Sequence, residues 1–199
     1  MQEGRLFVSK ASPCFTLLKP NGEVLWTIRP PGGDFRNQGE AFSVSSDGAV
    51  IDFGFEPFGE SRLRFDLRAL KLSNHWPPDN QTRPPKFDGL KIEDWSMSYQ
   101  PKLDGKPIKL DNGELSHSFA IQPDGRRFVL GADWWLRAFD AEGKPLWRYA
   151  TPGSVWAENI TPDGRLLIAA YGDGTIRWHR MDDGRELLAL QVLSDKTNW

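Results

Sequence analysis

The chain has 199 residues, enough for one domain or one mid-sized repeat array. Its 39% hydrophobic and 26% charged content is that of a folded globular chain and argues against disorder throughout. A net charge of -2 offers no cationic excess to neutralise phosphates, so nucleic acid is not an expected partner.

The N-terminal segment MQEGRLFVSKASPCF has no long apolar run, so no signal peptide is expected. No stretch approaches the roughly 18 apolar residues of a membrane span. Cys14 is the one cysteine, so no intramolecular disulfide can form. Together these give the expectation of a cytoplasmic protein with no membrane partner.

RLFVSK (5–10), CFTLLK (from residue 14) and EVLWTIRP (to residue 30) read as strands two, three and four of a first unit that lacks an inner strand. AFSVSS, an Asp47-Gly48 turn, AVIDFGFE and SRLRFDLRALKL form a second unit over 41–72. Residues 73–112 break the pattern. SNHWPPDNQTRPPKFDG has two Pro-Pro pairs and reads as loop, with a solvated insertion favoured over a recognition loop. KIEDWSM and KPIKL supply two strands of a degenerate unit.

The next unit is the clearest. HSFAIQP (117–123), Asp124-Gly125, RRFVLGA (126–132), LRAFD (136–140) and KPLWRYA (144–150) predict a four-stranded meander. VWAENITP (155–162), Asp163-Gly164, RLLIAAY (165–171), TIRWHRM (175–181) and RELLALQVL (185–193) repeat it. RLLIAAY is apolar throughout, as expected of a strand covered on both faces.

The units share phrases. GEVLWTIRPPG (22–32) aligns without a gap on GKPLWRYATPG (143–153). VSSDGAVIDFG (44–54), IQPDGRRFVLG (121–131) and ITPDGRLLIAA (160–170) share an Asp-Gly turn before an apolar run. Asp124 and Asp163 are 39 residues apart, and a period near 40 built of short strands is that of a β-propeller blade. The fold expected is all-β: one WD40-like propeller domain over 1–199, with about four to five four-stranded blades, incomplete or open, and a Pro-rich insertion at 73–112. Open edges would favour self-association.

AYGDGTIRWHRMDDG (170–184) resembles the third-strand region of WD40 repeats. Asp173 matches the family's turn aspartate, which implies a structural carboxylate that accepts backbone N–H bonds. The Gly-His that opens a WD40 blade is absent, so the family's Asp-His-Ser/Thr-Trp network is not transferred whole. Residues 115–190 resemble bacterial WD40-type segments that accompany caspase-like peptidase domains, and the likeness extends weakly to residue 40. It implies a scaffold or sensor whose partner is a caspase-like effector, or a fragment of a larger propeller–peptidase protein with no function of its own. The Gly-x-x-Leu-Trp phrase is similar to one in quinoprotein propellers, but no quinone site is assigned.

Little in the chain points to catalysis. Cys14 lacks nucleophile-loop neighbours, and His75, His117 and His179 stand apart in sequence. Asp173-Gly174 and Asp182-Asp183-Gly184 are ordinary turns rather than calcium loops. No metal, cofactor or catalytic group is therefore assigned. An alternative glycosidase would draw two carboxylates from Glu40, Asp52, Glu93 and Glu158. The favoured reading is a protein-binding platform. Its fourth-to-first and second-to-third loops would gather Phe35, Arg36, Phe58, Asp133, Trp134, Trp156 and Tyr171 on one face.

Overall fold

A computed structural model describes residues 6–10, 14–28, 32–74, 80–193, 196 and 199. His75 lies outside these residues, and Cys14 is described as a strand position only. The described chain is all-β, in five small antiparallel sheets of which none closes on itself.

Sheet 1 is the meander β1 (Leu6–Lys10), β2 (Cys14–Leu18) and β3 (Val24–Ile28), three strands as the sequence suggests. Sheet 2 contains β4 (Ser43–Ser45), β5 (Val50–Glu56), β6 (Glu60–Asp66), β7 (Lys71–Ser73) and β8 (Thr82–Arg83), in the order β7-β6-β5-β4-β8. The run expected to be continuous to residue 72 is broken after Asp66. There the Asp66 carboxylate accepts the N–H groups of Arg68 and Ala69 and turns the chain.

Sheet 3 comprises β9 (Ile92–Glu93), β10 (Lys102–Leu103) and β11 (Lys106–Pro107). Its last two strands form a hairpin through Asp104-Gly105, both at positive φ (50° and 73°), a two-residue turn that suits the twist of paired strands. Sheet 4 is β12 (Ser116–Ile121), β13 (Arg127–Ala132), β14 (Trp135–Asp140) and β15 (Pro145–Ala150). Sheet 5 is β16 (Val155–Ile160), β17 (Leu166–Tyr171), β18 (Thr175–Arg180) and β19 (Glu186–Gln191). Both are simple meanders.

The shared Asp-Gly phrase is one turn built three times. The N–H of Gly48, Gly125 and Gly164 donates to the carbonyl three residues back, at 3.0, 2.8 and 2.7 Å. Each aspartate accepts the N–H two residues on, at 3.2, 3.0 and 3.0 Å. Each glycine has φ of 70–73°, which an L side chain resists.

Three apolar layers join the sheets. Ile92, Leu103 and Ile108 pack with Phe119, Phe128, Leu130 and Phe139 between sheets 3 and 4. Val129, Leu136 and Ala138 pack with Leu167, Ala169 and Tyr171 between sheets 4 and 5. Ile51, Phe53 and Phe65 pack with Ile168, Ala170, Trp178 and Leu190 between sheets 2 and 5. Alternate residues of β17 thus face opposite neighbours, which is why the strand carries no polar face. A side chain such as Phe53, fully buried, contributes about 2–3 kcal/mol to this packing.

The insertion is not simply solvated. β8 pairs with β4 at Arg83 and Val44. The Arg83 carbonyl accepts from Asn159 Nδ2 (2.9 Å), and the Lys86 carbonyl accepts from Ile121 N (2.9 Å). Residues 82–87 therefore touch the first strands of sheets 2, 4 and 5. At the other end of the chain, Val192 joins the apolar layer on sheet 2, and Lys196 Nζ meets Glu56 Oε1 at 2.9 Å.

Candidate functional site

The loops expected to share a face are linked by backbone contacts. Phe58 N donates to Arg36 O (2.9 Å), Gly172 N to Ser154 O (2.8 Å), and Thr151 N to Trp134 O (3.0 Å). Ser154 Oγ donates to Asp133 Oδ1 (2.9 Å). Gly32 lies so close to Gly174 that a Cβ added at Gly32 would sit 3.2 Å from the Gly174 Cα.

Not all the expected residues reach the surface. Phe35 is 1% exposed. Gly33 leaves room for its ring to fold back over the chain and meet Phe53 edge-on, at 6.0 Å between centroids. Tyr171 is also buried; its OH donates to His179 Nε2 (2.7 Å) while His179 Nδ1 donates to Gly184 O (3.0 Å). Burial holds His179 below the usual imidazole range. Phe35 and Tyr171 are core residues, a correction to the surface role expected of them.

The other expected residues remain available. Phe58 is 73% exposed and sits at φ 61°, a strained setting for a bulky residue. The turn that carries it is pressed onto β5, where a Cβ on Gly54 would lie 2.3 Å from Gly59 Cα. Trp134 is 48% exposed. Arg36 is partly exposed and forks onto Asp34, with Nε–Oδ1 at 2.8 Å. That hydrogen bond raises its pKa further.

Asp133 and Trp156 meet at an imidazole. His117 Nε2 donates to Asp133 Oδ1 at 2.6 Å, and the His117 ring lies 4.3 Å from that of Trp156. Burial alone would raise the Asp133 pKa, but His117, the Leu115 N–H and Ser154 hold it below its ordinary value. Asp173 accepts from Thr175 N (3.0 Å) and Arg177 (2.9 Å), both within its own hairpin.

Beneath this rim is a pocket of about 60 Å³, room for a few waters or one short side-chain group. Its lining includes Asn37, Trp95, His117, Phe119, Trp156 and Glu158. Glu158 was legible only as one of four scattered carboxylates. It stands in β16, 1% exposed, and contacts Ser118 Oγ through Oε2; its Oε1 has no partner. Burial pushes the carboxyl up to about 8, against hydrogen bonds from Ser118 and the Gly131 N–H. Ser118 has one hydroxyl proton and two acceptors, the second being Val155 O at 2.9 Å. When ionised, Glu158 accepts from Ser118; when protonated, it donates to Ser118 and leaves the hydroxyl proton for Val155 O.

No two of the four candidate carboxylates share a described side-chain partner, and Glu158 is the one that lines the pocket. Asp52 is locked to Arg64 (2.6 Å) and Thr82 (2.5 Å), Glu93 faces Lys91 (3.0 Å), and Glu40 is exposed. Among the described residues no group of three or more His, Cys, Asp or Glu gathers as metal ligands. Asp182 pairs with Arg127 (3.1 Å), and Arg180 holds Asp183 down to about 2. No helix of the described chain is long and apolar enough to cross a membrane.

His117, Trp95 and Glu158 were missed as members of one site. The signal for Glu158 was present, an acid inside an otherwise inward-facing strand, but nothing local said which sheet it would face. No protein-family model matches the chain, and no curated protein matches its sequence.

Proposed function

We propose that the chain is a non-catalytic, protein-binding module built as a small WD40-like propeller. Sheets 2, 3, 4 and 5 would be its blades. The packing of sheet 5 on sheet 2 would bring the last blade against the first of these four. The Asp133–His117 bond supports this reading, because it links a turn carboxylate to an inner-strand imidazole, two of the four roles in the WD40 network.

The observation that carries the reading is the loop face itself. Phe58 and Trp134 are exposed on turns tied to the scaffold by backbone hydrogen bonds, and the pocket that Asn37 and Trp156 line is too small for an ordinary free metabolite. Rigid, exposed aromatics are interface anchors. A partner side chain would enter beside Trp156 while Phe58 and Trp134 flank it. A caspase-like effector domain is the partner implied by the resemblance.

A photo-crosslinking residue placed at position 58, 134 or 126 tests the face. Position 126 lies in an Asp-Gly turn at the opposite strand ends. The expected result is one partner captured from 58 and 134 only, whose purified form binds Trp134→Ala at least tenfold more weakly. Equal capture from all three positions, or binding indifferent to Trp134→Ala, would overturn the proposal.

A further inference from the structure

A second cleft lies at the outer edge of sheet 4, between β15 and Lys109, with a volume of about 180 Å³. Three cations line it, Lys109, Arg137 and Arg148, and no carboxylate does. Phe139 and Leu146 supply its apolar side chains, while the Trp147 ring turns to the other face of β15, with Nε1 donating to Met181 O (2.8 Å).

Arg137 and Arg148 are direct cross-strand partners on β14 and β15. Like charges so placed repel unless an anion lies between them. Asp111 supplies part of that anion, 3.1 Å from Arg137 and 3.3 Å from Arg148, and Glu114 lies 2.6 Å from Arg137. Glu114 does not line the cleft. With Lys109 counted, three positive charges face two negative ones. Lys109 is exposed and has no ion-pair partner among the described residues. The Arg137 side chain is 10% exposed, and its Nε–H has no acceptor.

The strand beside this charge is also unfinished. Among the described residues β15 pairs with β14 on one edge and has no strand on the other. An extended peptide added there would hydrogen-bond through its main chain and direct alternate side chains to one face.

We infer that this cleft is a docking site for an extended acidic peptide segment. One carboxylate enters among Lys109, Arg137 and Arg148, and an apolar residue two positions away packs on Leu146. The site is separate from the loop-face pocket and stands whether or not that face binds a partner.

Calorimetric titration of the full chain with three acetylated hexapeptides tests it, each of Thr and Ser with Leu two positions after a single Glu, Gln or Lys. The Glu peptide is expected to bind at least tenfold more tightly than the Gln peptide and to weaken as salt is raised. Lys109→Ala and Arg148→Ala are surface changes, so the fold survives them, and each should weaken binding at least fivefold. Arg126→Ala, a more exposed arginine elsewhere, should leave it unchanged. No binding by any peptide, equal binding of the Glu and Gln peptides, or binding indifferent to Lys109→Ala would overturn the inference. Inorganic phosphate that saturates the cleft and is not displaced by the Glu peptide would overturn it as well.

Discussion

Asp52 and Glu158 are buried to nearly the same degree, and the fold treats them in opposite ways. Asp52 in sheet 2 meets both ends of the Arg64 guanidinium, at 2.6 and 2.7 Å, and the Thr82 hydroxyl besides. Glu158 in sheet 5 has no cation among its hydrogen-bond or ion-pair partners and leaves one oxygen unpaired. The difference follows from what the neighbouring strand offers. Asp52 faces Arg64 across β5 and β6, whereas Glu158 faces Ala169 across β16 and β17. A buried acid with a cation is part of the scaffold. A buried acid without one, such as Glu158 in the pocket lining, keeps its proton to higher pH.

The largest effect should come from breaking the first of these. Arg64→Ala strands Asp52 as an uncompensated buried charge and should cost about 3–5 kcal/mol, read from urea unfolding at neutral pH. Little change would mean that water or another cation reaches Asp52.

Glu158 should show itself through pH. The unfolded carboxyl releases its proton near 4.5, while the folded one keeps it to about 8. Between those values the folded state binds more protons, so stability falls as pH rises through the window. The loss should be of the order of a few kcal/mol and complete above about pH 8. Glu158→Gln preserves shape and removes the titration. Its unfolding midpoint should stay flat where the wild type declines, giving a more stable protein at pH 9 than the wild type. Parallel profiles from pH 5 to 9 would show that Glu158 does not hold its proton.

A smaller effect is expected where sheets 2 and 5 meet. Trp178→Phe removes the indole that donates to Gly48 O (2.6 Å) and leaves a small void, about 2 kcal/mol together. Chemical denaturation should show a lower midpoint with an unchanged slope.

The smallest change should run the other way. Phe58→Gly relieves the positive φ and should stabilise the fold by up to about 1 kcal/mol in a thermal melt. The same variant should lose partner affinity, as expected of strain retained for recognition. A destabilised Phe58→Gly would mean that the ring packs on something essential.

How far the sequence could be read depended on where the information lay. Sheets 4 and 5 follow from local pattern, because each Asp-Gly turn sits between runs of the right length. β8 does not, since Thr82 and Arg83 become a strand only when β4 offers an edge. The β10–β11 hairpin carried its own signal in Asp104-Gly105, though the apolar runs beside it are too short to catch the eye. Phe58 and Trp134 are exposed, as their loop positions suggest, whereas Trp156 lies within β16 and is half-buried. Phe35 and Tyr171 are buried instead, because a loop-edge aromatic turns inward or outward according to the packing of other sheets. Glu158 was visible as a residue but not as a site, which needs Ser118 and His117 from a strand about 40 residues earlier.

The bond from Trp178 to Gly48 spans 130 residues of sequence. At a ribosomal rate of about 5–20 residues per second, the phenylalanines of sheet 2 are made roughly 6–26 seconds before the strand that covers them. Through that interval Phe53 and Phe65 have no partner from sheet 5 and are open to chaperones or to neighbouring chains. Slowing synthesis between residues 73 and 155 should therefore lower soluble yield without altering the finished protein.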